Sequence, residues 1–328
     1  MIATQTLPLI KAKRLSWLHR IWPLASGTGL ALLALTLPLC APAAEVQTFA
    51  TPQDAVNALV TVAGNHDTNA LHAMFGPAGH DLISPDAVQA TEEYKLFVQR
   101  LTEKTQFVTN SDSNVTLEIG ADGWPFPIPL VKRDEQWFFD TAAGKEEILV
   151  RRIGMDETGA INVCNTYVDA QREYAGQDRL GDGVLAYAQF LRSTPGTHDG
   201  LFWPTNQQPG EEFSPLGPLV ASARVEGYRR TAKMLNDELA PYHGYYFKIL
   251  TRQGKHAPGG KYDYIINGRM IAGFALVSWP AEWGDTGLMT FMVNQQGKVY
   301  QKNLGPQTAK IAKAMTTFDP DDTWTPAQ

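Results

Sequence analysis

The chain has 328 residues, with 28 Lys and Arg against 34 Asp and Glu and a formal net charge of −6. It carries no Lys/Arg cluster of the kind that tracks a phosphate backbone, and an acidic surface repels phosphate, so nucleic acid is excluded as a partner. Its length supports a sizeable hydrophobic core and suggests two domains.

The first 44 residues read as a secretory signal peptide. Lys11, Lys13, Arg14 and Arg20 precede an apolar run over 30–39, Ala41 and Ala43 follow it, and no acidic residue occurs before Glu45. A basic region, a short apolar region and an A-x-A site are the parts of such a leader. The run is too short to cross a ~30 Å hydrocarbon core comfortably. Pro38 ends any helix just before the site. Cleavage is expected after Ala43 or Ala44 by the general secretion route, leaving no stable membrane span and a periplasmic or cell-envelope location. Two alternatives stay open. One is an uncleaved anchor, lengthened by residues 22–29. The other is lipidation at Cys40, although Leu37, Pro38 and Leu39 lack the small residue such a signal needs. Losing the leader removes four basic and no acidic residues, which takes the charge from −6 to −10. Cys164 is then the lone cysteine, so no internal disulfide can form, and a buried, inert thiol is expected.

Residues 45–141 read as a compact α+β domain. Thr51-Pro52-Gln53-Asp54 opens a helix that Gly64 stops. A second starts at Asp67 and ends at Gly76-Pro77. A third runs from Ser84-Pro85-Asp86 to about Lys104, with Tyr94, Phe97, Val98 and Leu101 at helical spacing. The pattern then becomes strand-like. Residues 115–119 alternate, 126–131 read as a proline-interrupted edge or bent strand, and 137–140 as a short strand.

Residues 142–318 read as a second α+β domain. A long helix over 145–174 buries Leu149, Ile153, Ala160, Cys164 and Val168, with Gly154 and Gly159 weakening its middle. Residues 184–191 read as another helix. The segment 193–218 holds five prolines and four glycines, yet Phe202, Trp203, Phe213 and Leu216 imply that it packs down. Strands are expected over 244–250, 262–266, 271–279, 288–293 and 298–302, the last two joined by a turn at 294–297. A helix over 307–315 precedes a solvated acidic tail, 319–328.

The segments 193–204, 214–219 and 241–250 resemble a bacterial family, domain of unknown function 2950, as do 273–277, 289–294 and 299–305. The resemblance covers nearly the whole chain after the leader and implies an exported envelope protein. Two weaker likenesses concern fold. Residues 46–141 look like nuclear-transport-factor-2-like cones. Residues 145–305 look like pilin modules, with Gly297-Lys298-Val299-Tyr300 as the characteristic late strand. The long helix lies far from the N-terminus and lacks the apolar half that assembles filaments, so the pilin likeness is one of fold.

Candidate chemistry is sparse. His66, His72 and His80 lack zinc-type spacing, no cofactor motif is present, and Asp319, Asp321 and Asp322 lack the glycine and glutamate of a calcium loop. His198, Asp199 and His243 lie in aromatic-rich motifs, where histidine can act as a general base or stitch a loop by hydrogen bonds. Trp203, Tyr242, Tyr245, Trp279 and Trp283 are candidate stacking residues for a sugar or aromatic ligand, or core plugs. Three functions follow. The favoured one is non-enzymatic binding or scaffolding of an envelope protein or cell-wall component. The others are a periplasmic hydrolase using His198, Asp199 and His243, and a pilin-like assembly subunit.

Overall fold

A computed structural model describes residues 46–205, 212–228 and 241–327. The expected leader and residues 206–211 of the long loop lie outside the described residues, as does the side chain of His80. The architecture is α+β: helices on an antiparallel sheet, a long helix, then irregular loops and a second antiparallel sheet.

Three helices open it: α1 (Pro52–Gly64), α2 (Thr68–Phe75) and α3 (Ala87–Glu103), with a 3-10 turn over Pro77–Leu82. Each α-helix starts on a capping side chain. Thr51 Oγ1 accepts from the Asp54 N–H at 3.1 Å, Asp67 from Ala70 at 3.0 Å, and Asp86 Oδ1 from Val88 and Gln89 at 3.0 and 3.2 Å. Such a cap contributes about 1 kcal/mol. The helices pack on β1 (Thr105–Ser111), β2 (Asn114–Ile119), β4 (Leu130–Arg133) and β5 (Gln136–Phe139), antiparallel and ordered β1-β2-β4-β5, with β3 (Trp124–Pro125) beside β2. Val115, Leu117 and Ile119 of β2 alternate into the core with Leu59, Met74 and Phe139. Two expectations change here. β1 has no apolar alternation to announce it. The strand expected over 126–131 begins only at Leu130. Pro127 and Pro129 offer no N–H to a ladder, and Phe126 and Ile128 are buried plugs instead.

Helix α4 (Thr141–Tyr174) has 34 residues and is roughly 50 Å long. It begins before Lys145 because Asp140 caps it, accepting from the Ala143 N–H at 3.1 Å. Ile148 near its start packs on the first core, whereas Ala160, Cys164, Tyr167, Val168 and Tyr174 enter a second one. Its buried face differs from the expected one in the middle. Leu149 and Ile153 are only half-buried, and Arg152 and Asp156 are buried in their place.

The second core is built on β8 (Tyr245–Leu250), β13 (Ala275–Pro280), β14 (Thr290–Asn294), β15 (Tyr300–Lys302) and β17 (Thr325–Pro326), antiparallel in the order β17-β15-β14-β13-β8. Leu276 and Val277 point to opposite faces and both are fully buried, so the sheet is covered on both sides. Helices α4 and α6 (Thr308–Ala314) pack on it. Smaller ladders surround it: β9 (Arg252–Gln253) lies between β10 (Tyr262–Asp263) and β16 (Thr317–Phe318), and β11 (Ile265–Ile266) pairs with β12 (Arg269–Met270).

Three further expectations are corrected. Residues 184–191 form no helix; they run as loop into β6 (Phe190–Arg192), which pairs with β7 (Gly200–Phe202). Their backbone groups bond elsewhere. Ala188 N–H donates to Gln171 Oε1 at 2.8 Å, Gln171 Nε2 donates to Ala188 O at 2.9 Å, and Tyr187 N–H donates to Met270 O at 2.7 Å. In the loop 193–218, Leu201, Phe202, Trp203 and Leu216 pack down, but Phe213 is 67 % exposed, and the loop ends in α5 (Gly217–Glu226). The acidic tail is not simply solvated. Pro320 and Trp324 are buried, His256 N–H donates to Asp319 Oδ1 at 2.8 Å, and β17 joins the main sheet.

Candidate functional site

The segment between β6 and β7 is shaped by its own small and polar residues. A side chain on Gly200 would strike the backbone of Arg192 and Ser193, so only glycine lets the strands approach here. Ser193 Oγ donates to Gly200 O at 3.2 Å and accepts its N–H at 3.0 Å. Asp199 holds the turn closed. It accepts from Thr194 N–H at 2.7 Å and from the Thr194 and Thr197 hydroxyls, both at 2.8 Å. Burial by itself would raise the Asp199 carboxyl, but the bonds from Thr194 and Thr197 outweigh it and hold the group below its ordinary value. His198 stacks on Trp203, with centroids 4.2 Å apart and planes 19° apart, and its Nδ1 lies 3.4 Å from Glu212 Oε2. Arg179 pairs with the same glutamate and sits over both the Trp203 and Tyr174 rings, 5.3 Å from each centroid.

This turn forms one wall of a pocket of about 290 Å³. Tyr174, Leu180, Ala186, Tyr187 and Phe190 supply apolar surface; Gln189, Thr197, Asp199 and Arg269 supply polar groups. Each wall is held in place. Tyr174 donates its hydroxyl to His198 O, Tyr187 packs edge-on against Phe274 at 4.8 Å, and Gln189 Nε2 donates to Gly268 O at 2.8 Å. Arg269 is paired with Asp182. The stretch that carries the lining residue Leu180 is held by Asp178, whose carboxylate accepts four successive N–H groups, those of residues 180–183. Among the lining residues Phe190 is 52 % exposed, and Leu185, five residues before it, is 60 % exposed. An apolar hollow with few convergent polar groups is the usual form of a small binding site.

His243 lies elsewhere. Its Nε2 is 2.8 Å from Glu226 Oε2, and its backbone N–H donates to the Tyr228 hydroxyl at 3.3 Å. Tyr228 in turn donates to Asp86 Oδ2 at 2.8 Å. His198 and His243 each face their own glutamate, Glu212 for the first and Glu226 for the second.

His243 and Gly244 both have left-handed backbones, with φ of 45° and 69°. A Cβ on Gly244 would sit 2.6 Å from Asp156 Oδ2 and 2.8 Å from Thr286 Cβ. Below that glycine is a polar seam between the two cores. Asp156 is 1 % exposed; its Oδ1 accepts from Gln89 Nε2 at 2.8 Å, and its Oδ2 has no hydrogen-bond partner among the described residues. Burial pushes Asp156 up to about 7, a rise that the Gln89 bond and the Arg152 charge oppose and Glu93 and Asp86 reinforce. Glu93 is raised as well, first by burial. Arg152 is buried, pairs with Asp285 and donates to Leu82 O at 2.8 Å. The sequence does contain a signal for this seam: Arg152, Asp156 and Ala160 recur every four residues on one helical face.

The aromatic candidates do not share a site. Trp203, Tyr245 and Trp279 are buried; Tyr245 donates to Met289 O at 2.9 Å, and Trp279 packs on Tyr246 at 5.7 Å. These three are core rather than ligand surface. Tyr242 is half-buried against His243, and Trp283, 37 % exposed, donates to Asn303 Oδ1 at 3.0 Å. None of the five lines the 290 Å³ pocket, where the stacking surfaces are instead Tyr174, Tyr187 and Phe190. Cys164 is fully buried, its thiol pushed up to about 12 by burial and lying 3.7 Å from Ser278 Oγ.

No curated protein and no solved structure matches the chain. A match does exist at the level of sequence family, and it runs from the first described residue to the last one, through the pocket, the seam and both sheets. Residues 46–327 fit the family described as "Protein of unknown function (DUF2950)", and the chain belongs to it.

Proposed function

We propose that this is an exported envelope protein with a binding or scaffolding role, and that its pocket beside Tyr174, Phe190 and Arg269 receives an apolar or aromatic group of an envelope protein or cell-wall component. The observation that carries this reading is the pocket itself. Its polar walls are satisfied by internal bonds, so the hollow remains open and apolar with an exposed phenylalanine among its lining residues. His198 and His243 pair with different glutamates, which favours a loop-stitching role for each over a shared hydrolytic centre. The leader-like first 44 residues support export, and among the described residues no helix is long and apolar enough to cross a membrane.

A photoreactive residue placed at Phe190 in cells tests the proposal, with the same probe at Glu135, whose side chain is 88 % exposed, as control. The expected result is a discrete adduct from position 190 alone, on a chain whose mass shows loss of the leader after residue 43 or 44. Equal labelling at both positions, or an unprocessed cytoplasmic chain, overturns the proposal.

A further inference from the structure

The pocket beside Asp199 has a charge preference, which rests on the reading of that pocket as a binding site. Of its nine lining residues only Asp199 and Arg269 are charged, and the two are answered differently. Arg269 is met by the carboxylate of Asp182. Asp199 is met by neutral donors: the Thr194 N–H and the Thr194 and Thr197 hydroxyls. These bonds fix the carboxylate and favour its ionised form, but they do not cancel its charge. Oδ1 takes two of the three donors and Oδ2 takes one. A carboxylate has about four acceptor positions, so Oδ2 retains capacity for another donor.

The rest of the lining narrows the choice of donor. Tyr174, Tyr187 and Phe190 are aromatic, and Leu180 and Ala186 are aliphatic. Aromatic rings attract a cation placed over their faces, more strongly where water is excluded. The Tyr174 ring does so already, with the Arg179 guanidinium 5.3 Å from its centroid, and Phe190 is the most exposed of the three rings. An anion would be repelled by Asp199, and a neutral group would leave its charge unanswered. The volume of about 290 Å³ corresponds to on the order of ten waters, room for a short alkyl arm and its head group. We propose that the pocket receives a primary ammonium group on an alkyl arm, with the arm against the apolar lining and the ammonium donating to Asp199. A primary ammonium suits the site better than a quaternary one, because its N–H groups can make a charge-assisted hydrogen bond to the carboxylate.

The test is a ligand-observed NMR titration of the purified protein with pentylammonium, n-pentanol and pentanoate, which present similar alkyl arms. Pentylammonium should bind at least about tenfold more tightly than either of the others. Asp199→Asn keeps an acceptor for the turn and should erase the preference over n-pentanol. Because Asp199 also ties the turn, two variants outside that turn test the charge independently. Asp182→Asn leaves the Arg269 charge uncompensated and should weaken pentylammonium binding by about threefold or more, whereas Arg269→Gln leaves Asp182 uncompensated and should strengthen it. A merely structural pair would move both variants in the same direction, and that result overturns the proposal. So does n-pentanol, pentanoate or pentyltrimethylammonium binding as tightly as pentylammonium, although the pocket would then still be a binding site. If no probe binds, the proposal falls, and the adduct at position 190 decides separately whether the pocket binds at all. Nα-acetyl-lysine N-methylamide, a lysine as it occurs within a chain, separates the sources of the amine. Its binding supports the proposal with a partner protein's lysine as the source, and its exclusion while pentylammonium binds supports it with a free amine.

Discussion

The pocket at Arg269 and the seam at Asp156 both lie against α4, and both contain polar groups, yet they are opposite in construction. In the pocket the polar atoms are bonded to one another, with Asp199 taking three donors, and space is left over. In the seam the atoms are packed beneath Gly244, and Asp156 Oδ2 and Arg152 Nε are left without hydrogen-bond partners among the described residues. A buried polar atom without a partner costs about 1–3 kcal/mol, so the seam carries a tension that the pocket lacks. Room with satisfied walls marks a place for a visitor. Unsatisfied charge without room marks a place where stability depends on conditions.

Three changes probe that contrast. The largest effect is expected from Gly244→Ala, which puts a methyl group into Asp156 and Thr286 at a left-handed position. It should destabilise by more than about 3 kcal/mol in urea unfolding; a loss below about 1 kcal/mol would mean that the seam is loose. Next comes Asp156→Asn. The folded-state value of about 7 lies above the ordinary 3.8, so protonation of Asp156 favours the native state. That contribution is fully present below about pH 4 and is lost as pH rises through 7. Native stability should therefore fall across this window, and Asp156→Asn should flatten the fall, being more stable than the parent at pH 8 by about 1–3 kcal/mol. Urea unfolding from pH 5 to pH 8 measures it; an unchanged slope assigns the pH dependence to other groups. The smallest effect on stability, within about 0.5 kcal/mol, is expected from Phe190→Asp in the pocket lining. If the pocket binds as proposed, capture of its partner by the purified protein should nonetheless fall at least tenfold. Loss of capture together with a large fall in melting temperature would make Phe190 structural instead.

Much of the scaffold can be read from the residues. Caps at Thr51, Asp67 and Asp86 and helical spacing announce α1 to α3, and the apolar runs announce β13 and β14. What stays hidden has physical reasons. β1 is polar on its outer side because it lies at an edge, so it lacks a period of two. Residues 184–191 carry apolar spacing that mimics a helix, but Gln171, distant in sequence, takes the backbone groups that helix formation needs. The pocket was partly legible: Asp199 lies in a conspicuous motif, whereas Tyr187, Phe190 and Arg269 meet it only through tertiary structure. Asp156 and Arg152 share a helical face with Ala160, but as charged residues on a long helix they pass for solvent-facing ones, because that spacing does not say which face is buried.

Helix α4 also bears on cooperativity. Its first part is anchored on one core and its last part on the other. A free helix of half that length, about 17 residues, is only marginally stable in water. If either core melts, the stretch of α4 it held has no independent means of staying helical, and the fraying runs towards the residues that support the other core. The two cores are thereby bound to a common fate: they unfold as one thermodynamic unit, although each has its own sheet.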